Sequence, residues 1–376
     1  MLIQELVWTE GKWKETKGES PEPSSVQLIL LFGDVSELEN LEHLHYFQGR
    51  YPHAHVVGAS TAGTIESGTL SEHSAVATLI GFERGWVEVA CVNHLDNETL
   101  EKQSKELIEQ LPQENLRHVF VLMDGMKLNG SLLVKGINSG DKKLSVTGGL
   151  AGDQFTFERT LVLANAAAQE RQAVAIGFYG DSLHISVGCE TGWEEFGAER
   201  VVTRSEGNVV YEIDNKPALK LYEDYLGEFI KDLPFSGLRF PLNVRQYSGD
   251  KEVVRVMMGI NEDQSLWFAG DVPQGSIVRL MKTNVNNLVQ GADLVAGLID
   301  QYNDKPSLAL TVSCSGRRSV LKQMVDEELS AVQERLGKQT HLCGFYSFGE
   351  LSPFSDDLLN CKLHNQTMTL TVIYED

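Results

Sequence analysis

Three polar clusters near the carboxyl terminus bring together residue types that can do chemistry: Ser313-Cys314-Ser315-Gly316-Arg317-Arg318, Cys343-Gly344-Phe345-Tyr346-Ser347-Phe348-Gly349-Glu350, and Leu363-His364-Asn365-Gln366-Thr367. Cys314 follows the apolar run Leu308-Ala309-Leu310-Thr311-Val312, so it falls where a buried strand ends and a helix begins. There, two arginines and the helix dipole would stabilise a thiolate, the setting of a nucleophile or a redox sensor. The alternative is a small buried hydrophobe, the commoner state of a free cysteine, with the arginines turned towards Asp326, Glu327 or Glu328. An enzyme built on Cys314 would need His341 or His364 as a base about 3 Å away. The planar forks of Arg317 and Arg318 equally suit the carboxylate of a small polar metabolite such as an amino acid. His364 and His341 can each ligate a metal or hydrogen-bond in place, and no HxH or HExxH spacing accompanies either.

Two upstream motifs invite similar questions. Val146-Thr147-Gly148-Gly149-Leu150-Ala151-Gly152-Asp153 resembles a phosphate loop in its glycines, but it lacks both the GxGxxG order and the Lys-Ser/Thr ending of a P-loop. It therefore predicts a tight turn lining a pocket, with Asp153 capping local amides. Backbone amides at 148–152 would serve the same metabolite that the arginines hold. Gly58-Ala59-Ser60-Thr61-Ala62-Gly63 places a serine after a strand, without the GxSxG spacing of a nucleophile elbow, so hydrolysis from Ser60 is not expected.

These residues need elements to carry them. The runs 26–34, 54–60, 118–125 and 144–150 read as buried strands, and 38–47, 97–111 and 132–139 as helices between them. The second half repeats that grammar without a strict sequence repeat, with helices at 284–300 and 320–336 and two final strands. The expected class is mixed α/β: two related layered domains with mixed sheets flanked by helices. A polar amino-terminal segment covers 1–25, a first domain 26–215 and a second 216–376, the last starting near a helix with Pro217 in its first turn.

A net charge of −21 opposes nonspecific nucleic-acid binding. No apolar run reaches the roughly 20 residues that span a bilayer, and Met1-Leu2-Ile3-Gln4-Glu5 lacks signal-peptide order, so a cytoplasmic protein without membrane insertion is expected. Five cysteines without CxxC spacing predict reduced thiols.

Together with Gly192-Trp193, Gly207-Asn208 and Phe268-Ala269-Gly270-Asp271-Val272-Pro273, these motifs resemble the FIST family over nearly the whole chain. The resemblance implies an amino-terminal and a carboxy-terminal FIST domain, a sensory input role in signal transduction, a small ligand and no enzymatic activity. The chain ends at Asp376 directly after the last FIST strand, which implies a stand-alone sensor similar to the NosP-type nitric-oxide-sensing haem proteins that modulate a partner histidine kinase. On that reading His364 and His341 are the candidate haem iron ligands. The candidate ligand contacts are Ser60, Thr61, Gly148, Gly149, Asp153, Cys314, Arg317, Arg318, Tyr346, Glu350 and Asn365.

Overall fold

Apolar runs with no polar alternation demand burial on both faces, the situation of a strand inside a parallel sheet. In the computed structural model, which describes residues 1–71, 74–140, 144–246, 251–300 and 306–376, three such runs each open a parallel pair. Leu28–Gly33 pairs with His55–Ser60, Leu116–Met123 with Val146–Leu150, and Ser307–Cys314 with Thr340–Ser347. A third strand then pairs antiparallel to the first of each pair: Ala75–Gly81, Ala173–Tyr179 and Met368–Glu375. A fourth lies beyond it: Leu2–Thr9, Trp86–Val92 and Leu183–Glu190.

The three sheets are therefore built to one plan, and they are interlocked. After the second strand of each pair the chain leaves its own sheet and adds a strand to the next one. Thr64–Glu66 joins Thr340–Ser347, Gly349–Phe354 joins Val146–Leu150, and Val162–Ala164 joins Val57 to Ala59 of the first pair. Three backbone bonds close the circle: Ala62 N–H donates to the Tyr346 carbonyl (2.9 Å), Phe348 N–H to Leu150 (3.1 Å) and Gly152 N–H to Ser60 (2.9 Å). The chain is thus a pseudo-threefold ring of units, a repeat carried by topology and not by sequence.

One glycine per unit makes the parallel pairs possible. A Cβ on Gly58, Gly148 or Gly344 would lie 1.9, 1.9 and 1.8 Å from the carbonyl oxygens of Leu31, Val121 and Thr311, and Gly148 and Gly344 hold φ of +147° and +150°. Gly148-Gly149 is consequently part of the strand, as the 144–150 run predicts, and the turn of the glycine motif begins only at Ala151.

The inner faces of all three sheets share one core, with Phe32 stacked on Phe345 at 4.7 Å. Helices cover the outer faces: Leu41–Arg50 on the first, Leu100–Glu109 and Gly130–Asn138 on the second, Val285–Gly297 and Val325–Leu336 on the third. Three of these start at asparagine caps, Asn40, Asn129 and Asn284, whose side chains accept first-turn amides. Between the fourth strand of the third sheet and helix Val285–Gly297 sits a separate antiparallel sheet with its own core, running from Glu194–Glu206 to Ile277–Lys282.

The mixed α/β class, with mixed sheets flanked by helices, agrees with the sequence. Hydrogen-bonded sheets run across residue 215, since strands from each half complete sheets of the other. Within residues 1–25, Leu2–Thr9 is a largely buried strand, because its apolar residues pair into the first sheet while the polar character comes from the Lys12–Gly18 strand at the edge. Among the described residues no helix is long and apolar enough to cross a membrane.

Candidate functional site

Ligands of α/β sheets usually sit outside the carboxyl ends of parallel strands, and here those ends meet at the ring of three backbone bonds. Apart from His341, the residues singled out from sequence collect near there, but their polar atoms are turned inward. The Ser60 hydroxyl donates to the Gly152 carbonyl and accepts from Leu161 N–H, both at 2.8 Å. The Thr61 hydroxyl accepts from Gly63 N–H at 3.2 Å and meets Thr64 Oγ1 at the same distance. The Asp153 carboxylate accepts from Phe157 N–H (3.0 Å), Glu158 N–H (2.9 Å) and Thr156 Oγ1 (2.8 Å), so it caps its own loop.

Arg317 is buried whole. Its Nε and Nη2 donate to Glu328 Oε2 (3.1 and 2.8 Å), Nη2 also to the Leu288 carbonyl (2.9 Å) and Nη1 to the Thr191 carbonyl. Glu328 further accepts from Tyr346 Oη at 2.8 Å and Ser313 Oγ at 3.3 Å. Four of its five N–H donors are engaged inside the protein and the side chain is fully buried, so Arg317 and Tyr346 belong to a structural network. Arg318 is half-buried, lies over the Phe155 ring at 5.7 Å and donates to the Ala62 carbonyl.

Glu350 forms a second inward cluster. It accepts from Ser347 Oγ (2.6 Å), Thr367 N–H (3.1 Å) and Thr367 Oγ1 (2.9 Å). Burial raises its carboxyl to about 7, and burial together with the Glu350 charge pushes the Cys314 thiol well up, the opposite of an activated thiolate. Cys314 lies opposite Ser347, whereas His341 lies opposite Leu308 at the other end of the same strand pair, roughly 20 Å away at about 3.3 Å per residue. His341 Nδ1 is held by Glu5 at 3.1 Å. His364 Nε2 is held by the Ser352 carbonyl at 3.0 Å, and burial lowers its imidazole to about 4. Asn365 donates to the His364 carbonyl at 3.0 Å. Among the described residues no hydrogen bond joins Cys314 to His341 or His364.

Open space lies elsewhere, where the inserted sheet meets the ring. A cleft of about 800 Å³ is bounded by Ser131 and Lys135 of helix Gly130–Asn138, by Lys251 and Arg255 of the insertion, and by Asn360 and Lys362 of the Asp357–His364 strand. A neighbouring cavity of about 300 Å³ is lined by Met126, Leu150, Met258, Trp267 and Phe348. Of the ligand contacts proposed from sequence, only Leu150, within the 148–152 run, lines either space.

Asp271 is the latch between the two bodies. Its carboxylate accepts from Asn129 Nδ2 (2.8 Å) and pairs with Lys135 (2.8 Å), and its N–H donates to Ser131 Oγ (2.8 Å). Arg255, 6 % exposed, donates through Nε to the Asp271 carbonyl (3.1 Å) and through Nη1 to the Val254 (2.9 Å) and Leu363 (3.0 Å) carbonyls. Burial lowers it to about 10. In the sequence, the only signal of Arg255 is a charge inside the apolar run Val253-Val254-Arg255-Val256-Met257.

A haem does not fit these residues. Neither candidate histidine reaches a described cavity, each has a ring nitrogen engaged, and the large cleft is lined by no histidine, cysteine, methionine or tyrosine to serve as an axial ligand. Among the described residues no group of three or more metal-ligating side chains comes together.

Residues 27–216 match the FIST N domain and residues 218–353 the FIST C domain, so the protein is a FIST-domain protein, a class associated with sensing small ligands in signalling. The chain belongs to the FIST family. It is similar to the uncharacterized protein MJ1623 of Methanocaldococcus jannaschii, 22% identical over 388 residues that span 93% of this chain and 73% of the relative. The crystal structure of cyanuric acid hydrolase from A. caulinodans aligns over 94% of this chain and 91% of its own at 8% identity with a TM-score of 0.36, too remote to inform the chemistry.

Proposed function

We propose that the protein senses a small non-haem ligand bound in the 800 Å³ cleft between the inserted sheet and the ring, and signals by a shift in how the two bodies sit together. The observation that carries this is the origin of the walls: Ser131 and Lys135 come from the FIST N segment, Arg255 and Asp271 from the FIST C segment. A ligand touching both would favour one seating through its differential affinity alone. The space suits a small metabolite by volume. The polar-metabolite reading of the sequence is thereby kept, with Arg255 in the place given to Arg317 and Arg318. A partner histidine kinase is the output that the family resemblance implies, and the acidic surface would select a basic patch on it.

A thermal-shift screen of central metabolites on the wild type and on Asn360→Trp, which puts a ring into the cleft from its rim, tests the assignment. Ligands should raise the wild-type melting temperature and leave the variant unmoved. Equal shifts in both would place the site elsewhere, and a Soret band that shifts with nitric oxide after haem reconstitution would restore the haem reading.

A further inference from the structure

We infer that the ligand of this cleft is a small oxyanion, a carboxylate or a phosphate, bound between Arg255 and Lys362; the inference rests on the cleft being the ligand site. In a chain of net charge −21, the described lining gathers four cations, Lys135, Lys251, Arg255 and Lys362, against the two carboxylates of Asp271 and Asp357. Two of the cations are already used. Lys135 pairs with Asp271, while Lys251 pairs with Asp356 and lies 4.7 Å over the Phe354 ring. Arg255 and Lys362 have no ion-pair partner among the described residues.

The hydrogen bonding of Arg255 defines what it can still bind. Nε serves one backbone carbonyl and Nη1 two, so three neutral acceptors fix the guanidinium without neutralising it. Its Nη2 makes no hydrogen bond to any described residue while the side chain lines the cleft. A buried cation with satisfied flanks and one open donor face is preorganised for an anion, because its desolvation is already complete before the ligand arrives. With Nη1 and Nε occupied, the usual two-point fork is closed. The anion therefore places one oxygen on Nη2 and turns another towards Lys362. Both cations add to the burial that keeps the His364 ring neutral.

Isothermal calorimetry on the full chain tests this with succinate and inorganic phosphate as probes and succinamide and glycerol as their neutral counterparts. Binding of succinate or phosphate, weakened about tenfold or more in Lys362→Gln and falling with added salt, is the expected result, the size of one charge-assisted contact. Whichever probe binds more tightly identifies the anion as carboxylate or phosphate. Arg255→Lys should abolish binding, but it also frees carbonyls and so risks misfolding; Lys362→Gln, at a half-buried position whose side chain bonds no described residue, keeps the test valid. If a neutral compound binds and is blocked by Asn360→Trp while no anion binds, the cleft assignment stands and the anion class is overturned. If nothing binds in a manner sensitive to Asn360→Trp, both fall.

Discussion

At the scale of single residues, the buried ionisable groups set a pH response. Glu350 holds its proton up to about pH 7 in the fold but, in the unfolded chain, releases it near the ordinary 4.5. Its contribution to stability is therefore full below pH 4.5 and is lost as the pH rises through 7. His364 and His118 run the other way. Burial lowers them from 6.5 to about 4 and about 3, so their contributions are full above 6.5 and are lost on acidification. Glu350→Gln removes the downward limb alone. The wild-type stability relative to the variant should fall with pH between about 5 and 7, by up to ~1.4 kcal/mol per unit, in urea melts taken across that window. A difference independent of pH would mean that the carboxyl is ionised in the fold. The same inward turning decides between the two sequence readings of Arg317: it pairs at zero exposure with Glu328, one of the three acids the sequence offered it, and not with a ligand.

At the scale of elements, the parallel pairs depend on close backbone approach at one glycine each. Gly344 combines φ of +150° with a Cβ position 1.8 Å from the Thr311 carbonyl. Gly344→Ala should destabilise the protein by about 3 kcal/mol or more, since neither the backbone conformation nor the neighbouring strand can accommodate a methyl group. Thermal or urea unfolding measures the loss; a variant within about 0.5 kcal/mol of wild type would show that the Thr340–Ser347 strand can move away from its partner. Element positions were largely legible. The predicted helices at 97–111, 132–139 and 284–300 correspond to Leu100–Glu109, Gly130–Asn138 and Val285–Gly297, because apolar spacing and caps are local signals. The 320–336 helix is instead two, Ser315–Leu321 and Val325–Leu336, with Lys322 at φ +54° between them.

At the scale of the whole molecule, the threefold plan makes a prediction about chain order. Gly81 to Trp86 and Tyr179 to Leu183 are short links from the third strand of one sheet to the fourth strand of the next. The missing third link would run from Glu375 to Leu2, and the ends already meet there, the Met1 amino group lying 3.5 Å from the Glu375 carboxylate. A circular permutant joined from Asp376 to Met1 by a short glycine-serine linker and opened at Gly180-Asp181 should fold with the same circular dichroism spectrum and a single cooperative melt. Loss of cooperative unfolding would show that the three units are not interchangeable in connectivity. Strand runs, helix caps, the mixed α/β class and the family motifs were determined by the sequence itself, since periodicity, capping and glycine content act over a few residues. The interlocking of three sheets and the position of the cleft were decided only in three dimensions. Residues as far apart as Ser131, Arg255 and Lys362 become neighbours there, and whether a polar group faces a ligand or a carbonyl depends on which distant backbone the fold sets beside it.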